Sequence, residues 1–254
     1  MTAKNLFTLT LIKSLDILDC FKDDREEIGI KEIADMIGMP QSSVHRIMQS
    51  LEFNGMIYQN KETKKYRLGA KVLQMSTKVD CLKDFKDIAV KYMKQLNAAC
   101  DETINLAIGN CDAIVNVYKV ESSKLLRPNF VIGARYPIYN TGLGRVLLSD
   151  MSMAPLQWIY EEHKEEIGKS FSEFKAEVDQ VKKQGYAVDD EEFSEGLRCV
   201  AAPIRGYGGK VLFSMSISAP VIRMGDEMFQ EAIELVKKYA DLITKEIQEM
   251  KASS

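Results

Sequence analysis

Ile30–Arg67, IKEIADMIGMPQSSVHRIMQSLEFNGMIYQNKETKKYR, is the stretch that decides the fold of the first part of this chain. Ile30, Ile33, Ala34 and Ile37 recur at helical spacing, and so do Val44, Ile47, Met48 and Leu51. Between the two runs stands Gly38-Met39-Pro40-Gln41. Gly38 suits the left-handed position that closes a helix, and Pro40 cannot continue one. So short a turn between two short amphipathic helices marks a helix-turn-helix. The apolar face of the second helix leaves Ser42, Ser43, His45, Arg46, Gln49 and Ser50 pointing outward. These side chains are short, polar or cationic and can reach phosphates and base edges. Gly55 ends that helix. Met56-Ile57-Tyr58 and Tyr66-Arg67-Leu68 then read as two strands around Asn60-Lys61-Glu62-Thr63-Lys64-Lys65, a hairpin with lysines at its tip. Helix, turn, helix and basic hairpin in this order predict a winged helix-turn-helix.

Charge separates a DNA-binding reading from a purely protein-binding one, since two short helices and a hairpin serve both. Ile12–Asp35 carries 4 basic and 8 acidic residues, whereas Pro40–Lys71 carries 6 basic and 2 acidic. The positive charge gathers on the second helix and the wing, where a duplex would lie. The residues expected to meet DNA are Ser42, Ser43, His45, Arg46 and Gln49 on the helix, and Lys61, Lys64, Lys65 and Arg67 on the wing. The net charge of the whole chain is only −3, so such affinity has to be local.

Outward from this stretch, 254 residues suit two domains at roughly 100–200 residues each. Leu11, Leu15, Ile17 and Leu18 predict a helix packing on the helix-turn-helix as its third member, followed by a charged turn, Lys22–Glu27. The expected boundaries are residues 1–68 for the winged helix, 69–81 for a linker helix and 82–254 for a second domain. From Leu82 the spacing is helical through Phe85, Ile88, Ala89, Tyr92, Met93 and Leu96. A strand at Thr103–Ile108, a turn at Gly109-Asn110 and a return strand at Ala113–Val120 follow. Helices are expected at Arg145–Ser149, Pro155–Glu162 and Ser172–Gln184. A short strand, Tyr186–Val188, and a hairpin, Cys199–Ile204 with Val211–Ser218, precede a closing helix over Asp226–Met250. The mixture predicts an α+β sensor domain. No apolar run approaches the ~20 residues that span a bilayer, which points to a cytoplasmic protein with no membrane partner. Five cysteines without CxxC spacing fit reduced thiols rather than disulfides or zinc.

Enzyme chemistry is short of parts. Of two histidines, His45 lies in the helix-turn-helix and His163 in a charged run, YEEHKEE, that reads as a solvated helix end. P-loop, Rossmann and HExxH patterns are absent, and no cofactor or metal is called for. Two stretches do suit a small-molecule pocket. In Thr141-Gly142-Leu143-Gly144-Arg145, glycines allow close backbone approach and helix amides favour an anion, although a plain turn explains the stretch as well. In Gly185–Pro203 an acidic cluster abuts a small apolar strand carrying Cys199. Ser214, Ser216 and Ser218 alternate on one face of the last strand, where a plain core would prefer Val or Ile.

These residues carry a family resemblance along nearly the whole chain. SSVHRIMQSL (residues 42–51), Asn54-Gly55 and YRLG (residues 66–69) resemble the recognition helix and wing of IclR-type transcriptional regulators. DETINL (residues 101–106), the segment from Pro137 to GLGR (residues 142–145), the stretch from Gly185 through DDEE (residues 189–192) to GLRCVAAP (residues 196–203), and SISAP (residues 216–220) are similar to the effector-domain motifs of that family. The chain departs from the commoner pattern in having Arg145 where Lys is usual and Gly142 near a usual Ala. The resemblance implies a GAF-like effector domain, and a dimer or dimer of dimers on a palindromic operator. It also implies an effector pocket of Gly142, Leu143, Asp189, Leu197, Cys199, Ser216 and Ser218. The expected function is a ligand-responsive DNA-binding transcription regulator, a repressor of a small catabolic operon sensing a keto, sugar or aromatic acid. The alternatives are a winged helix fused to an enzyme using Cys199, and a winged-helix interaction module without DNA affinity.

Overall fold

The computed structural model describes residues 8–21, 27–76 and 80–252, with backbone alone for 76, 80–84 and 251–252. The chain divides into two compact units, Met1–Lys83 and Asp84–Ser254.

In the first unit, α1 (Leu9–Asp19) packs against the two helices of the motif through Ile17, which is fully buried. Leu11 and Leu15, expected on its inner stripe, are instead exposed with Leu9. Leu11 and Leu15 stand about 240° and 200° round the helix from Ile17, on its far side. The expected charged turn falls largely outside the described residues. Ile28 pairs with Tyr66 through two 2.9 Å backbone hydrogen bonds, so the wing gains a one-residue third strand. Helix α2 (Ile30–Ile37) starts where the Gly29 N–H donates to Glu32 Oε2 at 2.7 Å. It ends at Gly38, whose φ of +64° is the left-handed stop expected there. Helix α3 (Gln41–Phe53) follows directly after Pro40. Strands β1 (Ile57–Gln59) and β2 (Tyr66–Leu68) form the wing, and α4 (Ala70–Ser76) leaves it. Ile17, Ile33, Val44, Ile47, Met48 and Ile57 share one core, each burial contributing roughly 1.5–3 kcal/mol.

The second unit is built on a six-stranded antiparallel sheet in the order β5-β4-β3-β8-β7-β6. After α5 (Asp80–Cys100) come β3 (Thr103–Asn110) and β4 (Ala113–Val120), then a long loop to β5 (Arg135–Pro137). Strand β3 runs on through the expected Gly109-Asn110 turn, and Cys111, at φ +57°, makes the reversal. Helices α6 (Gly142–Leu148), α7 (Met153–Ile167) and α8 (Phe171–Gln184) come next. Helix α6 therefore begins three residues before the expected Arg145. Strands β6 (Ala187–Asp190), β7 (Leu197–Arg205) and β8 (Val211–Pro220) lead into α9 (Asp226–Ala252).

Alternation along the strands gives the sheet two unlike faces. Ile104, Leu106, Val200, Met215 and Ile217 are fully buried on the face toward α9, which presents Val236, Ala240 and Ile243. Glu246 of α9 ties in α5 by accepting from Lys91 Nζ and Tyr92 Oη at 2.8 and 2.6 Å. On the opposite face, small residues Ala107, Ala187 and Ala201 let α6 approach closely, with Leu156, Phe174 and Val178 of α7 and α8 packed behind it. Gly144 is the tightest point, because a Cβ there would stand 2.0 Å from the Ile138 carbonyl oxygen. That glycine serves packing between helix and chain, not access for a ligand.

Candidate functional site

Two sites emerge, one in each unit. In the first, Ser42, His45, Arg46, Gln49 and Ser50 are exposed along α3, and Ser43 is half-buried. The exposed Arg46 guanidinium makes no ion pair among the described residues. The wing cations differ from one another. Lys61 and Lys64 are exposed and make no ion pair among the described residues. Lys65 Nζ stands 3.4 Å from Glu32 Oε1, and the Arg67 guanidinium lies 4.3 Å from the Tyr58 ring centroid. Glu27 anchors the wing, accepting from Asn60 Nδ2 at 2.7 Å and Thr63 Oγ1 at 2.5 Å. Those bonds hold its carboxyl below the usual range.

In the second unit, the α6 face of the sheet carries two rows across four strands. Asp189, Cys199, Ser218 and Thr103 form one, and Ala187, Ala201, Ser216 and Asn105 the next. Ser214, Ser216 and Ser218 do share this face and are fully buried. Asn105 Nδ2 donates to Ser218 Oγ at 3.2 Å, and Ser218 Oγ lies 3.3 Å from Ser216 Oγ. Asn105 Oδ1 and Ser214 Oγ are buried without a partner among the described residues. Such atoms cost about 1–3 kcal/mol each unless a water or ligand meets them. Gly142, Leu143, Asp189, Cys199, Ser216 and Ser218 line one cavity of about 10 Å³, closed on the outside by Phe130, Tyr136 and Phe193. Leu197 is not in that wall. It borders an outer groove of about 530 Å³ on the far side of the same three aromatic rings.

Asp189 is only 2% exposed, whereas Asp190, Glu191, Glu192 and Glu195 beside it are exposed. Burial pushes its carboxyl up to about 6, against the backbone N–H bonds that Phe193 and Glu192 donate to it. Cys199 is pushed up to about 12 by burial, with Asp189 adding to the shift. A thiol so far from ionisation is a poor nucleophile at neutral pH. His163 is not a solvated helix end. Its Nε2 lies 3.2 Å from Asp112 Oδ2, its ring packs 4.9 Å from Tyr139, and it takes no part in the cavity wall around Cys199. Arg145 stands behind the cavity, donating to the Val188 carbonyl at 2.8 Å and bidentately to Glu192. The amide site expected at the start of α6 is modest, since the helix has 7 residues and Thr141 Oγ1 already accepts the Gly144 N–H.

Residues 82–245 match the family described as bacterial transcriptional regulator IclR C-terminal, and residues 10–61 match the IclR helix-turn-helix domain. The chain belongs to the IclR family. It is 33% identical over 240 residues to the HTH-type transcriptional regulator KdgR of Escherichia coli (strain K12), a match covering 92% of this chain and 91% of that one. It is 25% identical to the transcriptional repressor IclR of the same organism, over 92% of this chain and 88% of the relative. The structure of an IclR homologue from Microbacterium hydrocarbonoxydans, complexed with 4-hydroxybenzoate, superposes with a TM-score of 0.77 at 16% identity. That match covers 94% of this chain and 98% of the other, and it shows a shared fold.

As an IclR-family protein, the chain is a DNA-binding transcriptional regulator, and its relatives are regulators rather than enzymes. No described helix is long and apolar enough to cross a membrane. Reading the sequence missed Asn105 and the three aromatic residues of the cavity wall. Asn105 had a signal: it alternates with Thr103 on an otherwise apolar strand. Phe130, Tyr136 and Phe193 had none, since each sits in or beside a loop without periodicity.

Proposed function

We propose that the protein is an effector-controlled repressor of a small catabolic operon. In this reading α3 reads an operator in the major groove, and the α6 face of the sheet holds a small organic acid. One observation carries it above others. Asp189, Asn105, Ser214, Ser216 and Ser218 are buried polar side chains on one sheet face, beside a wall of aromatic rings. A face meant only for packing would hold aliphatic residues there, because each unsatisfied polar atom is destabilising. Asp189 repels an anion but accepts from a ligand hydroxyl or hydrate, which favours hydroxy and keto acids. Names among the relatives support repression, and 4-hydroxybenzoate in a structural relative supports an acidic effector. Effector and operator then act on each other's affinity by linkage.

The experiment is operator binding by the full chain on its own upstream region, monitored by fluorescence anisotropy with and without candidate acids. A true effector changes the operator dissociation constant and raises the melting temperature. At a hundredfold excess over its own dissociation constant it stabilises by about 2.7 kcal/mol. Asp189→Ala with Ser216→Ala should abolish both responses and leave operator binding intact. A double variant that keeps the full response would place the effector elsewhere.

A further inference from the structure

We propose that the effector site has two compartments, and that its ligand is a 2-hydroxy or 2-keto acid carrying an aromatic body. The acid end enters the inner polar cavity and the ring occupies the outer groove. This rests on reading the inner cavity as the effector site. Size is the first argument. About 10 Å³ has room for one water molecule, not for a three-carbon acid. A ligand must therefore move the wall outward, and what lies beyond the wall becomes part of its site. The outer groove holds about 530 Å³, within the range of small-molecule pockets.

The wall itself supplies the second argument. Phe130, Tyr136 and Phe193 border both spaces. Their ring centroids lie 5.5 Å (Phe130–Tyr136), 5.7 Å (Tyr136–Phe193) and 6.3 Å (Phe130–Phe193) apart. Two of the three contacts are edge-to-face, a geometry that another ring can extend. Beyond them Leu126, Leu197, Val221 and Ile222 make the groove apolar, and Leu126 and Ile222 are left exposed. A small acid would leave this surface uncovered, whereas a ring would bury it.

The groove is also braced. Its lips are the loop after β4 and the turn after β8. Both are tied to Glu102, which is 2% exposed. Glu102 accepts from Lys124 Nζ at 2.8 Å and from Arg223 Nε and Nη2 at 2.7 and 2.8 Å. The inner compartment meanwhile offers the Asp189 carboxylate as an acceptor beside the Ser216 and Ser218 hydroxyls, so the head of the ligand needs a donor hydroxyl, as a 2-hydroxy acid or a hydrated 2-keto acid has.

Calorimetric titration of the full chain with lactate against 3-phenyllactate, and pyruvate against phenylpyruvate, tests the proposal. In each pair the phenyl member should bind at least tenfold more tightly. Ile222→Glu should remove that advantage and leave lactate and pyruvate unchanged. Ser216→Val, which removes the hydroxyl and puts a methyl group into the inner cavity, should weaken all four. Equal affinities within each pair overturn the two compartments while leaving the inner effector site standing. Unchanged binding in Ser216→Val overturns the inner site itself. Failure of all four acids to bind overturns the ligand class. If Ile222→Glu instead lowers the mass by light scattering and keeps the phenyl advantage, the groove belongs to a second copy of the chain and the proposal falls.

Discussion

The backbone N–H of Phe193 donates to Asp189 Oδ1 at 3.1 Å, so the buried carboxylate of the cavity also holds one ring of its outer wall. The Glu192 N–H shares the same oxygen at 3.0 Å. The group that makes both contacts is buried, so its charge is costly.

That charge should show in the pH dependence of stability. Asp189 titrates near 6 in the folded chain, above its ordinary 3.8. Between these values the folded state keeps a proton that the unfolded state has lost. Stability therefore falls as pH rises through this window, and the penalty is complete above about 6. Asp189→Asn keeps an acceptor for the two N–H groups and removes the charge. In urea unfolding from pH 4 to pH 7, the wild type should lose about 2–3 kcal/mol relative to the variant. Parallel profiles would show that Asp189 is not desolvated as the structure has it.

The recognition helix gives a second expectation. Arg46 is exposed and pairs with no carboxylate among the described residues, so Arg46→Ala should leave stability within about 0.5 kcal/mol while weakening operator binding. Gln49→Ala and His45→Ala should change base preference by about 1–3 kcal/mol for each base edge no longer read. Anisotropy titrations on single-base operator variants measure this. Wild-type affinity in Arg46→Ala would remove that residue from the interface.

How far these features are legible in the sequence depends on whether their cause is local. The stops of α2 and the register of α3 follow from Gly38, Pro40 and the 3.6-residue apolar repeat, all within one short stretch. The three serines of β8 are legible because alternation is local too. The exposed side of α1 is not, because periodicity finds a stripe without saying whether its own unit covers it. The pairs Glu102–Arg223 and Arg145–Glu192, and the aromatic wall, join residues far apart in sequence. Only the strand order β5-β4-β3-β8-β7-β6 brings them together.

The wing cations should separate in a salt titration. Lys61 and Lys64 are exposed and make no ion pair among the described residues, whereas Lys65 faces Glu32 and Arg67 stacks on Tyr58. Lys61→Ala and Lys64→Ala should each weaken binding to all sequences alike. Each should also flatten the slope of log affinity against log salt by about 0.9 for every phosphate that is no longer neutralised. Lys65→Ala should change the slope less, because part of its charge is already answered. An unchanged slope in Lys61→Ala/Lys64→Ala would mean that the wing points away from the duplex.

Exposed leucines on α1 argue for a partner. Leu9, Leu11 and Leu15 are 67%, 62% and 54% exposed, and Leu73 and Met75 of α4 are also exposed within the same unit. Apolar surface of this kind on two helices of one unit suits a second copy, which a palindromic operator would need. Covering a leucine side chain contributes roughly 1.5–3 kcal/mol, so Leu11→Glu with Leu15→Glu should strip most of the drive for association. The core is spared, since Ile17 carries the packing of α1. We expect light scattering of the wild type at micromolar concentration to exceed the 28.7 kDa of one chain, and the double variant to fall to about that mass. The variant should still unfold cooperatively, but it should lose affinity for a two-half-site operator while keeping that for a single half-site. A wild type that runs as one chain at these concentrations, or a double variant that keeps its assembly, would assign those leucines another role.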